Sequence, residues 1–174
     1  MSRAVLPFAV ALLLAGCGEQ AAPVPQQNAT TAPDLGVGEL ELPAQVADFP
    51  VLSSTDCAEV AEFYFAAIAG DEYERAALAW DDPVVDGARL EAVFGPYGEA
   101  EFETTGPSLE GAAGSLYCTV EGTLTDAADP ARPASEGAIV LRRANDVPGA
   151  TPDQLRWTVQ SNTFVENLER SNRG

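Results

Sequence analysis

An α+β fold, with helices first and an antiparallel sheet after them, is predicted by three features of the sequence. Apolar residues recur at helical spacing from Ser53 to about Gly98, and beyond Gly98 they alternate with polar residues as in half-buried strands. Stretches rich in Gly, Pro, Asp and Asn separate the alternating segments and mark turns. Strands joined by short turns pair antiparallel, and helices grouped ahead of strands are typical of the α+β class.

Three helices are predicted in the first half of the domain. Asp56 can cap the first, whose apolar stripe follows an i, i+3, i+4, i+7, i+11 spacing until Gly70. The second covers residues 73–80 and is broken by residues 81–83, and the third carries its stripe over residues 90–94. The stripe of the first helix consists of Cys57, Val60, Ala61, Tyr64 and Ile68.

About four strands are predicted in the second half. The clearest covers residues 116–124, where apolar positions such as Cys118 alternate with Tyr, Thr and Glu. A weaker strand over residues 99–105 precedes it, and two more follow within residues 138–143 and over residues 155–159. Turns are marked by Gly111, by residues 126–133, and by residues 145–149 together with Pro152.

The start of this domain resembles a known superfamily. Residues 63–76, FYFAAIAGDEYERA, resemble the opening of NTF2-like (SnoaL-like) domains, in which a helix, a Gly-Asp turn and a second helix precede a curved antiparallel sheet. The resemblance implies a cone in which the helices pack on the concave face of the sheet, around either a packed core or a cavity. Cystatin-like and other α+β domains give similar periodicity and stay open as alternatives.

The resemblance also implies where a pocket would lie. Enzymes of the superfamily, such as ketosteroid isomerases and polyketide cyclases, place an Asp with a Tyr or His inside the cone. Tyr64 is a possible hydrogen-bond donor there, and Trp80, Phe94 and Trp157 could stack on a ligand. Each of the four has an alternative role as a packed core residue. The pattern places no carboxylate inside, so no catalytic residue is assigned.

Composition excludes several functions. The chain has no histidine, which removes Ser-His-Asp and Cys-His catalysis and the commonest metal ligand. A formal net charge of −18 opposes binding to nucleic acid. The acidic residues at 81–82 and 126–129 lack calcium-loop spacing, and no Gly-rich phosphate loop occurs. Neither a metal nor a cofactor is predicted.

The first 16 residues read as a secretory leader. Arg3 precedes an apolar run over residues 4–14 that is too short to span a bilayer. Residues 14–17, Leu-Ala-Gly-Cys, resemble the lipobox of bacterial lipoproteins, which implies cleavage before Cys17 and its acylation. Because Gly18 follows, the resemblance implies the periplasmic face of the outer membrane. An ordinary secretory leader that happens to end in a cysteine is the alternative.

The rest of the chain divides into three parts. Residues 17–52 are rich in Pro, Ala and Gln, which predicts a disordered tether. The α+β domain is expected over residues 53–166, with a disordered tail over residues 167–174.

The two remaining cysteines lie in the predicted domain. With Cys17 acylated, Cys57 and Cys118 are left as a pair in a compartment that permits disulfides. A bridge would join the first helix to the clearest strand. Two buried free thiols that act as small apolar residues are the alternative.

Three functions remain open for the predicted lipoprotein. The first is a non-catalytic accessory or protein-interaction module of the cell envelope, and the second is a binder of a small apolar ligand in the cone. The third is a ketosteroid-isomerase-like or dehydratase-like enzyme. The lack of histidine and of a placed acid–base pair favours the first. The expected partners are the lipid bilayer, through Cys17, and either an envelope protein or the small ligand.

The anchor is tested by Cys17→Ala. Without an acylated cysteine the protein should leave the membrane fraction and appear in the soluble periplasmic fraction, because its acidic surface offers anionic headgroups no attraction. Fractionation against the wild-type chain measures this. Continued sedimentation of the variant with membranes would contradict the anchor.

Overall fold

Three helices precede the sheet, and two more flank its last strand. The computed structural model describes residues 45–171, which begin with two short 3-10 turns, Val46–Asp48 and Pro50–Ser53. The helices are α1 (Cys57–Ala69), α2 (Tyr73–Ala77), α3 (Gly87–Phe94), α4 (Pro152–Leu155) and α5 (Thr163–Ser171). The strands are β1 (Ala100–Thr104), β2 (Ser108–Ala112), β3 (Ser115–Asp126), β4 (Ser135–Ala144) and β5 (Thr158–Asn162).

The sheet is antiparallel throughout, in the order β1-β3-β4-β5. Strand β2 also pairs with β3, but along its other half: Leu109 lies opposite Cys118, whereas Phe102 of β1 lies opposite Leu124. β1 and β2 therefore occupy the same edge of β3, one after the other. At the far edge, the backbone N–H of Val159 in β5 donates to the carbonyl of Ala79.

The core lies between one face of this sheet and the helices. Alternate residues of β3 and β4, including Val120, Leu124, Ile139 and Leu141, are buried together with the apolar stripes of α1 and α3. This arrangement confirms the predicted α+β class. The order of helix, Gly-Asp turn, further helices and antiparallel sheet agrees with the order that the NTF2-like resemblance implies.

Helix α1 begins and ends as predicted. The Asp56 carboxylate accepts a hydrogen bond from the Ala58 N–H at 2.9 Å, which satisfies a backbone donor that the helix leaves free. Gly70 is the C-cap, but Asp71 adopts the left-handed conformation, with φ of 58°. The Tyr73 hydroxyl donates to Asp71 Oδ1 at 2.7 Å and holds this turn.

A disulfide joins α1 to the middle of β3. Cys57 is bonded to Cys118, with 6.4 Å between their Cα atoms and a separation of 61 residues. Both residues are buried. The predicted pairing is confirmed, and the free-thiol alternative is wrong.

The sheet has five strands instead of about four. The additional strand is β2, whose sequence Ser-Leu-Glu-Gly-Ala contains Gly111, a predicted turn residue. All five of its residues are exposed, so no alternation of buried and exposed positions marks it. The turn lies at Ala113 and Gly114, both with positive φ.

The last predicted strand, residues 155–159, is shifted in the structure. Residues 152–155 form α4, since Thr151 and Gln154 make a reciprocal capping box. Strand β5 therefore starts only at Thr158. Leu155 ends α4 and Trp157 directly precedes β5. The two residues therefore alternate like strand residues although they do not lie in one strand.

Both predicted domain boundaries fall inside ordered structure. Residues 45–52, assigned to the tether, contain the 3-10 turns, where Leu52 is fully buried and the Phe49 ring packs 5.4 Å from that of Phe63. Residues 167–171, assigned to the tail, belong to α5. Gly137 makes room for this helix, because a Cβ there would lie 2.7 Å from the Phe164 ring. Cys17, the leader, residues 17–44 and residues 172–174 lie outside the described residues.

The bridge is tested by replacing both cysteines with serine. Closing a loop of this length stabilises the fold by about 4 kcal/mol on the chain-entropy model, so the free energy of unfolding should fall by up to about that amount. Urea denaturation measures it. Reductant should lower the stability of the wild type and leave that of the double variant unchanged. Two alkylatable thiols in the unreduced wild type would contradict the bridge.

Candidate binding groove

The side chains predicted to line a pocket lie in the packed core. Tyr64 is fully buried, and Phe94 and Trp157 are each 1% exposed. The Trp157 indole donates from Nε1 to the carbonyl of Thr55 at 3.0 Å, and Trp80 is partly buried at the edge of the core. The burial of Tyr64, Phe94 and Trp157 agrees with their alternative role as core residues.

Tyr64 takes part in a buried polar contact between α1 and the end of β5. Its hydroxyl oxygen accepts a hydrogen bond from Asn162 Nδ2 at 2.8 Å. Asn162 Oδ1 in turn accepts from the N–H groups of Phe164 and Val165, at 3.0 and 3.3 Å, and so caps α5. Burial raises the pKa of the Tyr64 phenol well above its ordinary value. The group stays neutral and tied to an amide, with no carboxylate beside it.

A cluster of aromatic side chains lies beside α1 and forms the floor of a groove. The rings of Phe65 and Phe102 are 4.7 Å apart, and Phe164 meets both edge-on at 6.2 and 5.6 Å. Phe94 lies 6.2 Å from Phe102 on the other side. Such tilted and edge-on pairs are the favourable arrangements of aromatic rings. The cluster fixes α1 and α5 against β1 and leaves Phe102 only partly covered.

A groove of about 420 Å³ opens above this floor, between α1 and β1. Its base is Phe65, Phe102 and Val120. One wall is the small-residue side of α1, and the other is formed by the end of β1 and the segment after it. The wall residues are Ala58, Ala61, Ala66 and Ala69 on α1, and Thr104, Thr105 and Pro107 opposite them.

Polar side chains also line the groove. Glu62 is exposed on α1, and Thr104 and Thr105 face it from the other wall. The Thr105 hydroxyl donates to the carbonyl of Glu121 at 3.3 Å. An apolar floor with a few polar groups at the rim can hold an apolar side chain or a small apolar molecule while hydrogen-bonding its polar end.

The prediction from sequence missed this groove because it followed a single stripe of α1. Only Glu59 and Glu62 are charged in the 13 residues of the helix, so α1 is apolar almost all the way round. Ala58, Phe65 and Ala69 form a second stripe, at i, i+7 and i+11. A helix that is apolar on all sides is expected to be covered by other elements on several of them, and this signal is present in the sequence of α1.

The groove lies next to an uncovered strand edge. Strand β2 pairs with β3 on one side only, and Leu109 in it is 62% exposed. Thr105 and Pro107, at the groove wall, connect β1 to β2. An exposed edge presents unpaired backbone groups that an extended peptide can meet. Groove and edge together form one surface with both apolar and backbone contacts, called here the binding face.

Asp126, at the end of β3, is the one buried carboxylate among residues 45–171. Its oxygens accept hydrogen bonds from the N–H groups of Gly98, Glu99 and Ala128 at 3.1–3.2 Å, and Arg132 Nε lies 3.1 Å from Oδ2. Burial acts to raise the pKa of this carboxyl, but the three N–H donors and Arg132 outweigh it and lower the pKa. The ionised group stabilises the junction of three segments and does not have the pKa of a general base.

Two further features of residues 45–171 bear on function. No helix in this range is both long and apolar enough to cross a membrane. Nor do three or more acidic, histidine or cysteine side chains come together there as a set that could hold a metal ion.

Asp126→Asn tests the role of that carboxylate. Because its folded-state pKa is lowered, the ionised group stabilises the fold above its unfolded pKa of about 3.9. This contribution is lost as the pH falls through the folded-state pKa. The variant should be less stable at pH 7, and its stability should fall less steeply below about pH 4.

Urea unfolding from pH 7 to pH 2 measures this effect. Asp146→Asn, at an exposed loop position, is the matched control and should retain the wild-type pH profile. Parallel pH profiles for wild type and Asp126→Asn would show that Asp126 has no such role.

Comparison with known proteins shows neither a family nor a function. No protein-family model matches the chain, and no curated protein matches it. A crystal structure from Thiobacillus denitrificans, described as a calcium/calmodulin-dependent protein kinase type II association domain, is similar with a TM-score of 0.42 and 17% identity. The match covers 60% of this chain and 90% of the other. A likeness at this level says nothing about function.

Proposed function

We propose that this chain is a lipid-anchored, non-catalytic interaction module of the cell envelope, and that it binds its partner with the binding face beside α1. The anchor is the acylated Cys17 implied by the lipobox-like Leu-Ala-Gly-Cys sequence. The site of attachment is the periplasmic face of the outer membrane. The chain between Cys17 and the domain gives the binding face reach from the bilayer surface.

One observation carries the proposal. The interior in which a related enzyme would hold its substrate is occupied by Tyr64, Phe94 and Trp157, whereas the apolar groove opens outward beside α1. Its neighbour β2 has an uncovered edge and an exposed leucine. Interaction modules commonly combine an apolar pocket with a strand edge, because backbone hydrogen bonds give affinity and the pocket gives specificity.

A small apolar ligand in the same groove is the second candidate. The volume of about 420 Å³ lies within the range of roughly 300–1,000 Å³ found for ligand pockets. Thr104, Thr105 and Glu62 could orient a polar end of such a molecule. The envelope partner is preferred because the groove continues onto the open edge of β2, which a small molecule would leave unused.

Site-specific photo-crosslinking in intact cells tests the proposal. A photoreactive amino acid in place of Thr104 lies on the groove wall, and the same residue in place of Thr125 lies on the opposite face of the sheet as a control. The Thr104 position should form an adduct with an envelope protein, and the Thr125 position should not. A small-molecule adduct at Thr104 would support the second candidate instead.

A matched pair of substitutions makes the test specific. Ala66 and Ala92 are both exposed helical alanines, but only Ala66 lines the groove. Ala66→Lys should abolish the adduct at Thr104, because a charge enters an apolar site, while Ala92→Lys should leave it unchanged. Both variants should unfold within about 0.5 kcal/mol of the wild type. Equal adducts in the two variants would overturn the proposal.

A further inference from the structure

The basic residues of this acidic chain are few and unevenly placed. All nine are arginines, against 27 acidic residues. Seven of them fall within the described residues. Three of these seven form a salt bridge with a carboxylate.

Four of the seven have clear partners. Arg75 pairs with Glu72 at 2.6 Å, Arg89 with Glu169 at 2.9 Å and Arg132 with Asp126 at 3.1 Å. Arg170 donates to the side-chain oxygen of Asn167 at 3.1 Å. Each of these four arginines therefore has a structural contact within the fold.

The other three line one cleft of about 300 Å³ between the end of β4, α4 and the residue after Trp80. They are Arg142, Arg143 and Arg156. Within residues 45–171, none of the three has a carboxylate oxygen within 4 Å, and the guanidinium groups of Arg142 and Arg143 make no hydrogen bond. Three arginines thus line one cleft, and two of them have a guanidinium group without a hydrogen bond.

Two of these side chains are held in place by the fold. The Arg143 guanidinium lies over the Trp157 ring, 5.3 Å from its centre, and the ring is fixed by its own hydrogen bond to Thr55. Arg156 donates from one Nη to the carbonyl of Leu78 at 3.2 Å. Both also have a buried Nε without an acceptor. Donors that are already positioned lose little freedom when a ligand binds.

The cleft also contains two carboxylates, from Asp81 and Asp153, which are exposed. They leave an excess of one positive charge in a chain that is otherwise strongly negative. A guanidinium group matches the two oxygens of a carboxylate or phosphate in its fork geometry. The cleft volume suits a ligand whose size ranges from a few heavy atoms to about that of a sugar phosphate.

We propose that the cleft of Arg142, Arg143 and Arg156 is a binding site for a small oxyanion, a phosphate monoester or a dicarboxylate. Arg143 and Arg156 supply the fixed donors, and the exposed Arg142 closes over the ligand from the outer face of β4. The site is separate from the binding face, with which it shares no residue.

Isothermal titration of the mature chain with inorganic phosphate and with succinate, at constant ionic strength, tests this site. Saturable binding of either probe is expected, and the tighter probe identifies the preferred class. Arg143→Gln and Arg156→Gln should each weaken binding by about tenfold or more, because a charged hydrogen bond is lost. Arg170→Gln, which removes an exposed arginine on α5, should bind like the wild type.

A second pair of variants should change the affinity in the opposite direction. Asp81→Asn and Asp153→Asn remove a negative charge from the cleft and should strengthen binding by up to about fivefold. A role of the arginines in folding alone would not produce this gain, and Arg142→Gln, at an exposed position, gives a loss variant that folds. The proposal is overturned if neither probe binds saturably, or if Arg170→Gln weakens binding as much as Arg143→Gln.

Discussion

The rest of the structure depends on how helix α1 is covered. With only two charged residues in 13, the helix exposes apolar surface in almost every direction, and water disfavours each uncovered part. Separate elements cover separate sides. On one side Tyr64 meets Asn162 of β5, and the aromatic cluster covers Phe65. On the far side, Phe63 packs against Phe49 under the Arg75 guanidinium, which explains why the segment before the domain is ordered.

One side of α1 remains uncovered, and it carries the exposed Ala66 and Ala69 and the half-buried Ala58. An alanine face exposes little apolar area per residue, so leaving it open costs less than exposing Phe63 or Ile68 would. The same small side chains leave space beside β1, which is why the groove forms there. Filling of the interior and opening of the groove are therefore two results of one residue pattern, with large side chains inward and small ones outward.

The elements with a strong periodic signal in the sequence were predicted, and β2, which has none, was not. The stripe of α1 and the alternation in β3 are long and regular, and both elements, the caps of α1 and the Cys57–Cys118 pairing were predicted. Strand β2 has five exposed residues and hence no pattern to read. Helix α5 depends on Asn162, whose capping of a helix became evident only with the contact to Tyr64. To predict the groove, the second apolar stripe of α1 would have to be given the same weight as the first.

The arginine cleft shows a different limit. Arg142 and Arg143 are adjacent in the chain, but Arg156 and Asp81 reach them only through the pairing of β4 with β5 and of Trp80 with Val159. No spacing in the sequence encodes that meeting. In sheet order the cleft lies at β4 and β5, on the other side of β3 from the groove at the β1 edge. A ligand in the cleft would therefore contact none of the residues proposed to bind a partner at α1.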